Sequence, residues 1–131
     1  MEQKNINPWQ WQNELGFSQA LEVSEAQRTL YCAGQLSTDA EGKLVHEGNI
    51  RAQINQAFDN LGAVLAAAGF SLSNVVRLNY YTTDVDRFLA AHDAVTSRLK
   101  DAGCQPASTL LGVARLAFPE QLVEIEATAV K

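Results

Sequence analysis

PASTLLGVARLAFPEQLVEIEATAVK, residues Pro106 to Lys131, is the stretch that decides how this chain folds. It reads as two strands joined by a short turn containing Phe118 and Pro119. In the second strand Val123, Ile125, Ala127 and Ala129 share one face, and Leu122, Glu124, Glu126, Thr128 and Val130 share the other. The first face is uniformly apolar and belongs on a core. In the first strand Thr109, Leu111 and Val113 oppose Ser108, Leu110, Gly112 and Ala114, and neither set is polar enough to face water alone. A sheet apolar on both sides, in a chain too small to cover both, predicts that further copies of the chain supply the second layer.

Working back from there, Asn74 to Thr82 (NVVRLNYYT) is rich in β-branched and aromatic residues and predicts a strand. Thr83 or Asp84 caps a helix behind it, which carries Val85, Phe88, Leu89, His92, Val95 and Leu99 and stops at Gly103. An earlier helix starts at the Asn49 cap and runs to about Ala68, before Gly69. Ile50, Ile54, Ala57, Phe58, Leu61, Val64, Leu65 and Ala68 recur along it at three- and four-residue steps, leaving Arg51, Gln53, Gln56, Asp59 and Asn60 as the wet face. Upstream, Phe17 to Ser24 and Arg28 to Gly34 read as two strands around the turn Glu25-Ala26-Gln27, and Ser37 to Gly48 as a loop. Residues 1–15 read as an extended arm anchored on the domain by Trp9 and Trp11. Two helices on one face of a mixed sheet make an α+β domain spanning residues 1–131.

A single domain of this size buries roughly two-thirds of the surface its unfolded chain exposes. Ten Lys and Arg against fifteen Asp and Glu leave a net charge of −5, with no basic cluster or stripe. Nucleic acid is therefore an unsuitable partner, because phosphate binding rests on clustered cations. No apolar run reaches the ~20 residues of a membrane span, and MEQKNINPWQWQ lacks the apolar core of a signal peptide, so a cytoplasmic location is expected. Cys32 and Cys104 fit no metal spacing and read as inert core thiols.

The residues able to carry chemistry are few. Glu124 and Glu126 share a strand face about 7 Å apart. Such a pair does acid–base work when burial raises one pKa, and is otherwise hydrogen-bonded structure. His92 lies near the apolar side of its helix, as a packed residue or as a proton donor. Arg115 follows an apolar strand and reads as a structural ion-pair partner or an anion anchor. No glycine-rich phosphate loop, nucleophile motif or metal site is present in the sequence.

Three segments together resemble the RidA/YjgF family, also called L-PSP endoribonuclease-like or reactive-intermediate deaminases. They are LYCAGQLSTDAEGKLV (30–45), QINQAFDNLGAVLAAAGFSLSNVVRLNYYTTDVDRF (53–88) and PASTLLGVARLAFPEQLVEIEATAV (106–130). The resemblance implies a chorismate-mutase-like fold assembled as a homotrimer around a central barrel, with a small-molecule cleft between adjacent subunits. It implies hydrolysis of enamines and imines, such as 2-aminoacrylate and 2-iminobutanoate, to 2-keto acids and ammonia without a cofactor.

Carried over residue by residue, the family's cleft glutamate is Glu124, the first glutamate of VEIEA. The family's PARS is PAST here, so Ser108 stands in place of the arginine that binds the substrate carboxylate, and Leu110 in place of a cysteine. SGQ becomes AGQ, with Ala33 for serine and Gly34 kept. Phe17 replaces the cleft tyrosine and His92 the asparagine of the second helix. A bidentate carboxylate anchor is thereby lost. Glu124 and His92 are the expected catalytic residues, and Phe17, Ala33, Gly34, Ser108 and Leu110 the expected substrate contacts. The implied activity is hydrolysis or deamination of a small imine or enamine other than a 2-imino acid. A non-catalytic trimer that binds a metabolite is the competing reading, and ribonuclease activity, opposed by the acidic charge, is a third.

Overall fold

The computed structural model describes residues 1–131. The elements are β1 (Glu2–Ile6), β2 (Ala20–Ser24), β3 (Thr29–Gln35), α1 (Ile50–Ala67), β4 (Val75–Thr82), α2 (Val85–Ala90), α3 (His92–Ala102), β5 (Ala107–Gly112) and β6 (Val123–Val130). Short 3₁₀ turns at Asn13–Leu15 and Leu72–Asn74 complete them.

The main sheet has the order β3-β6-β4-β5. β6 pairs antiparallel with both β3 and β4, whereas β4 and β5 run parallel. The 106–131 stretch is thus two strands as the alternation predicts, but not a hairpin. A parallel β4–β5 pair needs a crossover, which α2 and α3 provide, and the 113–122 connection then carries the chain past β4 to β6. Residue alternation reports which face a side chain takes and is blind to which strand lies alongside.

α1 packs on β6 and β3, and α3 packs beside α1. Ile54, Ala57, Phe58, Leu61 and Leu65 are fully or almost fully buried against Val75, Leu78, Val123, Ile125 and Ala129. Each large apolar side chain so buried contributes about 1.5–3 kcal/mol. Asn49 caps α1 as expected, accepting from Ala52 N at 3.0 Å. Gln53, assigned by periodicity to the wet face, is fully buried. It donates to the His46 and Glu120 carbonyls, each at 3.2 Å, and accepts from Leu122 N at 2.8 Å. It stitches the loop and the 113–122 connection to the helix, a role period counting does not see.

The helix after β4 is capped by Asp84, which accepts from Arg87 N at 3.0 Å. It is broken at Ala91 into two pieces rather than being continuous. Phe88, Ala91 and Val95 remain buried across the break, and Gly103 ends α3 in a left-handed turn at φ 64°.

Upstream, the expected pairing is exchanged. β2 does not form a hairpin with β3 but pairs antiparallel with β1, while β3 pairs with β6. The arm therefore begins as a strand. Nor do its tryptophans anchor it: Trp9 is 57% exposed and Trp11 63%. The buried residue there is Gln12, whose side chain bonds Asn13 and Gln19, and Asn7 Oδ1 accepts from Gln19 N at 2.8 Å. Polar satisfaction fixes this segment, so aromatic size misleads.

The face of the sheet away from the helices is open in the single chain. Tyr31 is 81% exposed and Leu111 49%.

Candidate functional site

The pairing register divides the candidate residues between the two faces of the sheet. Ser108 pairs with Leu78 and Leu110 with Tyr80, so both share the helix-side face with those buried residues. Glu124 pairs with Tyr81 and Glu126 with Asn79, on the open face. Within one chain Ser108 and Glu124 lie on opposite sides of the sheet.

On the helix side a cavity of about 330 Å³ opens beside the β4–β5 edge. Phe17, His92, Ser108 and Leu110, four of the residues chosen from sequence, line it. Tyr80, Phe88, Leu89 and Leu15 complete it. Phe17 arrives because Ser18 bridges to Ala107 alongside β5, with Ser18 N donating to the Pro106 carbonyl at 3.0 Å. Gln105 Nε2 also donates to the Phe17 carbonyl at 3.0 Å. Gly16 makes the turn before it at φ 83°, a left-handed conformation that suits glycine. His92, at the first turn of α3, sits edge-on to Phe88 with ring centroids 6.0 Å apart. Burial lowers its pKa, against a smaller upward pull from Asp93, so the ring is neutral at pH 7.

No lysine or arginine lines this cavity. Arg77 leaves on the open face to Thr109 Oγ1 at 2.8 Å, and Arg87 donates to the Gly48 carbonyl at 2.8 Å. Arg51 pairs with Asp93 and Arg98 with Asp59, each at 2.7 Å. Arg115 folds onto its own loop, donating to the Leu116 carbonyl at 3.2 Å, and does not line this cavity.

On the open face Glu124 is half-buried against Gly34: a Cβ built at Gly34 would lie 2.7 Å from Glu124 Cδ and 2.9 Å from Cγ. Burial raises the Glu124 pKa, and the neighbouring Glu126 charge raises it further. Glu126 is held by hydrogen bonds from the Tyr81 hydroxyl and from Asn79 Nδ2, the latter at 3.2 Å. The two carboxylates differ accordingly: Glu126 is engaged by two side-chain donors, and Glu124 has no such partner in the chain. Ala33, exposed in β3, flanks Gly34 on this strand.

Both cysteines are free and buried, and burial pushes the Cys104 thiol up to about 12. No three His, Cys, Asp or Glu side chains cluster into a metal-binding group. No helix is long and apolar enough to cross a membrane. Tyr80, Phe88, Leu89 and Leu15 escaped the sequence reading because β4–β5 register and the docking of the arm bring them together. Their individual signals are those of ordinary core residues.

Comparison with known proteins fits this geometry to a class. A family model described as Endoribonuclease L-PSP matches residues 11–131. A Rid-family protein of unknown function from Yersinia pestis, YyfB, has a crystal structure that superposes with a TM-score of 0.88 at 37% identity, covering 100% of both chains. A RutC family protein of Aquifex aeolicus is 37% identical over 116 residues, 88% of each chain. The 2-iminobutanoate/2-iminopropanoate deaminase of Capra hircus is 37% identical over 116 residues, 88% of this chain and 80% of that one. The chain belongs to the RidA/YjgF family, and its mixed α+β fold is that family's fold.

Proposed function

We propose that the protein is a homotrimeric hydrolase of small imines or enamines, acting in a cleft between subunits on substrates that lack the carboxylate of a 2-imino acid. Phe17, His92, Ser108 and Leu110 of one subunit form the substrate pocket. Ala33, Gly34 and Glu124 of the next supply the reacting face. The observation that carries this reading is the pair of half-sites on opposite faces of one sheet, one a lined cavity and the other a desolvated carboxylate. Neither is complete alone, and the exposed apolar Tyr31 and Leu111 mark the open face as one that another copy covers.

In the reaction, Glu124 takes a proton from water as the water oxygen bonds to the C=N carbon, and passes that proton to the nitrogen, which receives the C=N electron pair. The resulting carbinolamine collapses: Glu124 moves the hydroxyl proton to the nitrogen as the C–N bond breaks, ammonia leaves, and a ketone or aldehyde remains. His92, neutral and beside the pocket, donates a hydrogen bond to the departing nitrogen. The named deaminase activity of relatives from Capra hircus and Dermatophagoides farinae supports the reaction class. Ser108 and the cation-free lining argue for a different substrate.

The test is ammonia release from 2-iminobutanoate, 2-aminoacrylate and carboxylate-free imines, with Glu124→Ala and Ser108→Arg alongside. Turnover confined to carboxylate-free imines and lost in Glu124→Ala is the expected result, and Ser108→Arg should gain activity on 2-iminobutanoate. A second reading, a trimer that binds a metabolite without turning it over, is favoured by the loss of the cationic anchor. It prevails if no imine is hydrolysed and ligands still bind.

A further inference from the structure

We infer that the helix-side pocket takes an uncharged C=N or C=O compound bearing an aromatic or branched apolar substituent, and that Trp11 and Phe17 form the wall selecting that substituent. This rests on the reading that the pocket belongs to the reaction site, and it goes further by naming what fills it.

Four observations lead there. First, six of the eight lining side chains are hydrophobic, and the exceptions, His92 and Ser108, carry small neutral hydrogen-bonding groups. An anion entering would shed its hydration with no ionic partner, whereas one polar atom of a neutral ligand finds a partner at Ser108 or His92. Second, the cavity of about 330 Å³ is larger than a three- or four-carbon imine requires, and the surplus volume is apolar. Third, the apolar lining continues outward: Leu15 is 43% exposed and Leu89 53%. Fourth, Trp11, 63% exposed, stands edge-on to Phe17 with centroids 5.9 Å apart. A large aromatic left in water beside an apolar mouth gains by covering a ligand ring in the same geometry. The Trp11 side chain is not what holds its own segment, which is fixed by buried Gln12 and by Asn7.

The experiment compares two ligands that share a ring and differ in charge. Acetophenone is the ketone left by a carboxylate-free imine, and phenylglyoxylate is the 2-keto acid left by the matching imino acid. Calorimetric titration of the intact protein should show acetophenone bound at least about tenfold more tightly. Trp11→Ala should weaken acetophenone by about threefold or more, and Ser108→Arg should reverse the preference toward phenylglyoxylate. Equal or tighter binding of phenylglyoxylate by the unaltered protein overturns the ligand class, and an unchanged acetophenone affinity in Trp11→Ala overturns the wall. Ammonia release from the imine of acetophenone is followed separately. If it is absent while the ketone preference holds, the hydrolase reading fails and the ligand class stands.

Discussion

Glu124 and Gly34 are in such close contact that no side chain fits between them: a Cβ at position 34 would meet the carboxylate, with Cδ at 2.7 Å. The glycine has no unusual φ, so what it provides here is space for the carboxylate rather than backbone freedom.

Gly34→Ala should therefore leave the chain folded and disable its chemistry. The group displaced is the end of a flexible side chain, which can swing away, but a shift of about 1 Å in a reacting group costs on the order of a hundredfold in rate. Ammonia release should fall by about ten- to a hundredfold while circular dichroism and the mass of the assembly in solution are unchanged. Full activity in a folded variant would remove Glu124 from the reaction.

In the proposed reaction Glu124 also sets the pH response. Only its ionised form accepts a proton from water, and burial with the Glu126 charge holds its pKa above the usual carboxylate value. Activity should rise with pH through that raised pKa, giving an acid limb displaced upward from that of an ordinary glutamate. Stability runs the opposite way. The native state holds this proton more tightly than the unfolded chain, so the group favours folding at low pH and opposes it once pH rises through the raised pKa. Glu124→Gln should thus abolish turnover and raise Tm at pH 7, an increase that disappears near pH 4. A lower Tm at pH 7 would contradict the raised proton affinity.

Gln53 makes a prediction about the scaffold. Gln53→Ala leaves the Glu120 carbonyl and the Leu122 N–H without a partner, while the His46 carbonyl keeps its bond from Asn49 N. Each unsatisfied group costs about 1–3 kcal/mol. Urea unfolding should show a loss of at least about 2 kcal/mol, a large effect for a residue that helical periodicity places in water. A change within about 0.5 kcal/mol would mean that those groups are rehydrated.

The two sides of α1 should respond differently to truncation. Leu61 is fully buried and Val64 is 37% exposed. Leu61→Ala should cost about 2–5 kcal/mol in urea unfolding. Val64→Ala should stay within about 0.5 kcal/mol in the monomeric fold, and a larger cost would mark this side as covered in the assembly.

Periodicity carried the elements but not their neighbours. The Asn49 cap, the apolar stripe of α1, the β4 strand and the alternation of β6 are each local properties, and the structure has them, with Val64 left exposed and Gln53 buried against the reading of α1. Pairing is not local. That β5 joins β4 rather than β6, and β2 joins β1 rather than β3, follows from crossovers that residue patterns do not encode. The site divides in the same way. Glu124 and Gly34 stand out by motif, and their perturbation is visible only once Gly34 is found against the carboxylate. Tyr80 and Phe88 read as core, and they are core; the pocket lies at the point where that core reaches the surface.

The position of β6 has a consequence for how the protein is made. It follows all the other strands in the chain, yet it lies inside the sheet, hydrogen-bonded to β3 on one side and β4 on the other. A nascent chain emerging from the ribosome can form α1 and the β4–α2–α3–β5 unit, but β3 has no strand beside it until β6 has been made. Completion of the sheet is thereby tied to the synthesis of β6, and until then the chain carries unpaired strand edges beside an uncovered apolar face. Loss of the last strand would leave two unjoined pieces instead of a shortened domain.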